Sequence, residues 1–209
     1  MFQTRQAAST KLPIQRKGTK YVAKARTFVN DSVPVVIATR DMLKLARTAR
    51  EVRKMINEKM LKINGRIVKD YRDSICLFNQ FEAGKTFQLI LLRTGKFAFK
   101  ELNKAEYMVF KVKGKNIIKK GKIQLNLHDG TNILIDKKNI VNGDSVYLDD
   151  KKKIVNHISL EKGGKAFVIR GKHQGLYGVI ESIEDNNVSV KLENGGTVNL
   201  KKDILFVLK

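Results

Sequence analysis

Arg50, Arg53 and Lys54 recur at i, i+3 and i+4, a spacing that sets three cations on one side of a helix. Arg47, Lys59, Lys62 and Arg66 lie close by, so seven basic side chains crowd around one predicted turn. Guanidinium forks and ammonium groups of this kind pair with oxyanions, the forks bidentately and the ammoniums as point charges. An unpaired cationic surface repels itself, and a solvated face would normally be diluted with Glu and Asp; seven cations in one place point instead to phosphate. A second set, Lys111, Lys113, Lys115, Lys119, Lys120 and Lys122, flanks Ile117 and Ile118. Flexible lysines supply charge more than geometry, so these suit phosphate and not bases, and they also guard strand edges against pairing. A third set is the loop Arg170-Gly171-Lys172-His173, and a fourth is Arg16, Lys17 and Lys20 in a start that carries no acidic residue before Asp31.

Local patterns say how these groups are carried. Pro34 and Val35 open a stretch in which Val36, Ile37, Met42, Leu43 and Leu45 line one face of a short helix, ended near Ala46. Thr48-Ala49-Arg50-Glu51 is a capping box, with the Thr48 hydroxyl on the Glu51 N–H and the Glu51 carboxylate reaching back to the Thr48 N–H. Ala49, Val52 and Ile56 then form the packing face opposite the cations. Met60 to Ile63 alternates, Asn64-Gly65 supplies a type I′ turn, and Arg66-Ile67-Val68 returns, which is a hairpin. Further strands follow. Ile123-Gln124-Leu125-Asn126-Leu127 is apolar at every second residue, His128-Asp129-Gly130 turns, Ile133 and Ile135 alternate, and Asn142-Gly143-Asp144 precedes another strand. From Ala166 to Ile180 the glycines Gly175 and Gly178 mark sharp turning or close strand approach, and Val188, Val190, Leu192, Val198 and Leu200 continue the pattern.

The bulk composition agrees with a polyanion partner. The 209 residues hold 42 Lys and Arg against 20 Asp and Glu, a net charge of +22, while 42% hydrophobic residues suffice for packed cores. Basic and acidic residues number 18 and 6 in 1–75, 16 and 8 in 76–159, and 8 and 6 in 160–209. The first third is therefore the main electrostatic surface. Apolar runs fall far short of the roughly 18 residues that a membrane span needs, and the basic start lacks the apolar stretch of a signal peptide. Cys76 is the only cysteine, which excludes an internal disulfide or thiolate cluster and fits a reducing, cytoplasmic setting.

No catalytic group assembles from the residues. Gly84-Lys85-Thr86 copies the end of a P-loop, but Asn79 stands where that motif requires Gly. His128, His157 and His173 are scattered, no second ligand lies at metal spacing from His173, and Asp149-Asp150 and Glu184-Asp185 sit in turns. A contact role in its loop is the reading for His173. The expectation is a protein that is no enzyme and needs no cofactor or metal.

Two short helices followed by Lys62-Ile63-Asn64-Gly65-Arg66 resemble the S-four-type RNA-binding motif, which implies RNA contact for Arg47, Arg50, Arg53, Lys54, Lys59, Lys62 and Arg66. Arg170-Gly171-Lys172-His173-Gln174-Gly175 with its flanking strands resembles the KOW motif, implying a five-stranded SH3-like barrel. With Pro13-Ile14-Gln15-Arg16-Lys17 before them and Gly121-Lys122-Ile123-Gln124-Leu125-Asn126-Leu127-His128-Asp129-Gly130 between, the order is similar to the archaeal and eukaryotic small-subunit ribosomal protein family S-four-e. That resemblance implies an α+β multi-module chain: a basic N-terminal arm (1–32), an S-four-like αα-β RNA-binding module (33–93), a central small β domain (94–159) and a C-terminal KOW SH3-like β-barrel (160–209). It implies a structural constituent of the cytoplasmic ribosome whose partners are small-subunit ribosomal RNA and neighbouring small-subunit ribosomal proteins, with no membrane and no small-molecule substrate. The chain departs from the family in lacking Trp, with Leu12 near the expected place, and in ending after the Ile204 to Leu208 strand without a basic tail, which points to an archaeal or reduced form. Other readings are an RNA-modifying enzyme or ribosome-assembly factor with an S-four-like module, and a KOW-bearing transcription elongation factor. The first of these needs a catalytic domain, whereas the residues after 93 read as two small β modules.

Overall fold

Alternating apolar and polar residues dominate the chain, and the result is a mostly β protein with few helices. The computed structural model describes residues 2–102, 107–118, 122–135, 139–149 and 151–208. The chain divides into two compact units, Met1–Met108 and Val109–Lys209.

In the first unit, β1 (Phe2–Thr4) and β2 (Tyr21–Ala23) pair antiparallel. The Arg5 guanidinium closes the segment between them, donating to Gln15 O at 2.7 Å, Thr19 O at 2.8 Å and Thr19 Oγ1 at 2.8 Å. Leu12 and Ala25 are buried, and the Phe97 N–H donates to Lys11 O at 2.8 Å. The segment expected as an arm is thus packed into the body of this unit. Next come β3 (Ser32–Pro34), α1 (Val35–Ile37) and α2 (Ala49–Asn57). Between the helices, Ala38–Met42 forms a wide π-helical turn, with Leu43 N–H on Ala38 O at 2.9 Å and the Thr39 hydroxyl on Val35 O at 2.9 Å. The wide turn rotates the last residues off the packing face, so Leu45, expected there, is 44% exposed.

The strands β4 (Leu61–Ile63), β5 (Arg66–Ile67), β6 (Ser74–Cys76), β7 (Gln80–Ala83), β8 (Lys85–Leu91) and β9 (Phe97–Leu102) complete the unit. Five of them form an antiparallel sheet in the order β5-β4-β7-β8-β9, and β6 pairs with β3. Asn64 and Gly65 take φ of 48° and 73° at the β4–β5 turn, as the Asn-Gly signal requires. Gly84 links β7 to β8 as a hairpin bend, which has no helix N-terminus behind it to cradle a phosphate. The module boundary expected at 93/94 falls inside the β8–β9 hairpin, whose strands pair from Thr86–Leu102 to Leu91–Phe97. The division between units comes fifteen residues later, after Met108.

The second unit holds β10 (Met108–Ile117), β11 (Ile123–Leu127), β12 (Asn132–Ile135), β13 (Ser145–Leu148) and β14 (Ile154–Ile158) as one sheet ordered β12-β11-β10-β13-β14. A second sheet, ordered β18-β17-β16-β15-β19, holds β15 (Lys165–Val168), β16 (Tyr177–Glu184), β17 (Asn187–Leu192), β18 (Thr197–Lys201) and β19 (Leu205–Leu208). Ala166, Val168, Ile180, Val188, Val190, Leu205 and Val207 form the core of this second sheet. The boundary expected at 159/160 falls between the two sheets, and Ile158 and Leu160 pack against the second core, so both sheets belong to one compact unit. The buried Asp144 carboxylate reinforces the junction, accepting from Leu160 N–H at 3.0 Å and lying 2.8 Å from His157 Nε2.

Gly175 and Gly178 are required for different reasons. Gly175 has φ of 81°, whereas a Cβ on Gly178 would meet Val190 Cγ1 at 2.5 Å and Lys191 O at 2.6 Å. Backbone cannot give way as a side-chain tip can, so Gly178→Ala is expected to cost about 2 kcal/mol. A urea titration followed by circular dichroism checks this; an unchanged midpoint would mean that β16 and β17 separate freely.

Candidate nucleic-acid interface

Helix α2 is fixed at both ends by local chemistry. The Thr48 hydroxyl accepts from the Glu51 N–H at 3.3 Å. The Glu51 carboxylate accepts from the Arg47 N–H at 2.8 Å and the Thr48 hydroxyl at 2.9 Å, so the Arg47 N–H joins the Thr48 N–H that the sequence suggested as its backbone donor. These donors, the Arg47 N–H first, hold the Glu51 carboxyl below its usual range. With the start set, Val52 and Ile56 are buried and Arg50, Arg53 and Lys54 project from the exposed side. At the other end, Met60 N–H bonds Met55 O at 3.0 Å and Lys59 N–H bonds Ile56 O at 2.9 Å, a Schellman closure with Lys59 at φ 58° in the place that glycine usually takes.

A lysine there carries left-handed strain of about 1 kcal/mol, and it presents its charge beside the helix face. Lys59→Gly is expected to raise stability by roughly 0.5 kcal/mol while weakening RNA binding a few-fold and lowering the salt slope by about one phosphate. Denaturation and a salt titration of RNA affinity check the two signs together. A variant that gains stability and binds RNA as before would leave Lys59 without a contact role.

The remaining cations of the first unit follow in consecutive elements. Arg47 and Arg66 are exposed, while Lys62 is half-buried and 3.4 Å from its cross-strand neighbour Glu82. Lys54 lies 3.9 Å from Glu58, a pair too exposed to hold the ammonium away from other anions. Arg16, Lys17 and Lys20 are exposed on the segment that Arg5 holds, with the Lys20 ammonium 5.5 Å from the Tyr21 ring centroid. Tyr71, which the sequence did not mark, lies under Arg53 at 4.7 Å and Arg72 at 5.6 Å.

In the second unit one expectation is overturned. Lys111 is only 3% exposed, and its ammonium donates to Lys202 O at 2.6 Å, Asp203 O at 3.0 Å and Leu205 O at 2.7 Å. It is a structural tie between β10 and the β18–β19 connection and does not face a phosphate. Burial pushes it down to about 8, with Lys113 and Arg170 adding to the fall and Asp203 opposing it. The cause lies in the half of β10 that is buried on both faces, where the His128 ring sits 5.8 Å from Phe110 and 5.3 Å from Phe206. A bulge between Val112 and Gly114 then changes the register, and Lys113 emerges exposed. Lys115 is half-buried, donating to Ile140 O at 3.0 Å, and Lys122 is exposed. Lys119 and Lys120 lie outside the described residues.

Arg170 and Lys172 are exposed and His173 half-buried in the β15–β16 connection; Lys113 and Arg170 approach closely enough for both to repel the Lys111 charge. The sequence reading passed over Lys151, Lys152 and Lys153, all exposed on the β13–β14 turn with Lys152 at φ 58°. Their signal was a plain run of three lysines. Among the described residues no group of His, Cys, Asp and Glu is placed to hold a metal, and no helix is long and apolar enough to cross a membrane.

Comparisons with known proteins fit this arrangement. The model of Ribosomal family S4e matches residues 83–155, and that of the KOW motif matches residues 162–193. The small ribosomal subunit protein eS4 of Archaeoglobus fulgidus is 30% identical over 220 residues, covering 100% of this chain and 93% of the relative. That of Methanocella arvoryzae is 32% identical over 187 residues, covering 86% and 80%. The crystal structure of the 30S ribosomal protein S4e from Thermoplasma acidophilum matches with a TM-score of 0.72 at 27% identity, covering 85% of this chain and 95% of that one. Similarity that runs the length of the chain in sequence, and over 85% of it in backbone, assigns it to Ribosomal family S4e.

Proposed function

We propose that this chain is a structural constituent of the small ribosomal subunit, bound to small-subunit ribosomal RNA and to neighbouring ribosomal proteins in the cytoplasm. The family is one of ribosomal structural proteins and not of enzymes. The observation that carries the reading is the full-length similarity to a protein named for that subunit, together with a net charge of +22 that a polyanion would neutralise. In finer detail, residues 33–93 act as the S-four-like module, extended by β9 to complete its sheet, and the last five strands act as an SH3-like barrel of the KOW type. Arg47, Arg50, Arg53, Lys54, Lys59, Lys62 and Arg66 contact phosphates from the first unit. Arg16, Lys17 and Lys20 contact them from the segment before it. From the second unit the contacts are Lys113, Lys115, Arg170, Lys172 and His173, with Lys119 and Lys120 kept from the sequence reading. Phosphate contacts dominate in this reading because flexible lysines supply charge more than geometry.

Gradient centrifugation of native lysate tests the function. The chain is expected to sediment with the small subunit through moderate salt, and a chain found free at the top of the gradient would overturn the reading.

A further inference from the structure

Arginines of the first unit divide by what their forks touch. Arg5 has backbone and hydroxyl acceptors, Arg40 forms paired bonds of 2.8 Å and 2.8 Å to Asp41, and Arg72 grips Asp70 through Nη2 at 2.7 Å and Nε at 3.1 Å. Arg53 differs. Its guanidinium lies 4.7 Å from the Tyr71 ring centroid, and it has no hydrogen-bond acceptor among the described residues. The ring orients the group without using its N–H donors, because a cation attracted to a π face leaves its edges free.

The ring is itself held. The buried Asp73 carboxylate accepts from Lys69 N–H at 3.1 Å and Asp70 N–H at 3.4 Å, and Asp73 N–H donates to Asp70 O at 2.9 Å. Tyr71 O accepts from Val36 N–H at 2.9 Å, and the Asp70-bound Arg72 guanidinium lies 5.6 Å from the same ring. Two carboxylates therefore fix the turn that carries the platform, and α2 carries the arginine laid on it.

We infer that Tyr71 is a positioning residue that holds the Arg53 guanidinium as a preformed fork for one phosphate of bound RNA. Arg53 then meets two non-bridging oxygens with a side chain whose freedom is already reduced, an advantage that the lysines of the same face lack. The inference rests on the RNA-binding reading and adds to it a residue that makes no phosphate contact of its own.

Equilibrium binding of the full chain to an in vitro transcript of archaeal small-subunit ribosomal RNA, at one moderate salt concentration, tests it. Tyr71→Leu and Arg53→Lys are each expected to weaken binding about three- to tenfold, and the double variant no further than either alone. Tyr71→Phe, which keeps the π face, should bind as the parent does. All four variants keep the parent's charge, so the slope of affinity against salt should hold. Losses that multiply in the double variant, or parental affinity for Tyr71→Leu, would overturn the assignment. Should Tyr71→Leu prove unfolded by circular dichroism, parental affinity of Arg53→Lys at its exposed helix position would overturn it equally. A parent chain that ignores the transcript would instead overturn the functional reading beneath it.

Discussion

Lys111→Met is expected to destabilise the second unit by about 3 kcal/mol, although the variant removes a buried charge and keeps most of the side-chain volume. The Lys111 ammonium satisfies three carbonyls, those of Lys202, Asp203 and Leu205, at 2.6–3.0 Å. Methionine offers them no donor, and water has little access where Lys111 is 3% exposed. Burial lowers the lysine to about 8, which compares ammonium with amine in one place; the variant compares ammonium with no donor at all. The same depression sets a pH dependence. Between about 8 and the unperturbed 10.5, the unfolded chain keeps a proton that the folded one sheds, so stability rises with pH through that window. The rise from this group is at most about 3 kcal/mol, and it should be missing from the Lys111→Met variant. Urea denaturation at several alkaline pH values, followed by circular dichroism, checks both points. Equal stability of variant and parent near neutrality would mean that the carbonyls find other donors.

Replacing Arg50, Arg53 and Lys54 together with Glu is expected to weaken RNA affinity on the order of 10²- to 10³-fold at physiological salt. The three side chains stand on the exposed side of α2, opposite the buried Val52 and Ile56, so the reversal leaves the packing face intact. Each lost phosphate contact removes a released counterion, and the slope of log affinity against log salt should fall by about 2 to 3. A salt titration of RNA binding measures this directly. Mutant and parent curves that coincide would remove the α2 face from the interface. Glu also replaces one cation near the helix C-terminus, so a small loss of helix stability should accompany the change without accounting for it.

Much of the local structure was legible. Thr48 to Glu51 announced the start of α2, Asn64-Gly65 announced the β4–β5 turn, and the alternation of Ile123 to Leu127 matches a strand whose apolar residues are buried one by one. Each of these signals is contained within a few residues. Errors arose where a second layer decides burial. Lys111, Lys113 and Lys115 read as one exposed row because a strand of period two shows only two faces. The outer face of β10 is covered by residues some 90 positions away, and the bulge at Lys113 breaks the row again.

The edge drawn at 93/94 fell inside a sheet for the same kind of reason. Residues 94–102 looked like the start of a new β domain, yet Phe97 to Leu102 pairs with β8 of the sheet before it. The basic start looked like an arm because its charge is conspicuous and its few buried residues, Ala8, Leu12 and Ala25, are widely spaced. Among the cations, exposure and partners separated the tie at Lys111 from the surface at Arg50 and Arg53, a distinction that residue type does not contain.

The amino-acid sequence alone determined the net charge, the turns and caps, and the order of patterns that marks the family, because each depends on residue type and short-range spacing. Only the tertiary structure decided which lysine is buried, which arginine is held on a ring, and where one unit ends. Those outcomes turn on what packs against the far side of a strand or helix, and contacts between distant residues leave no periodic trace in the chain.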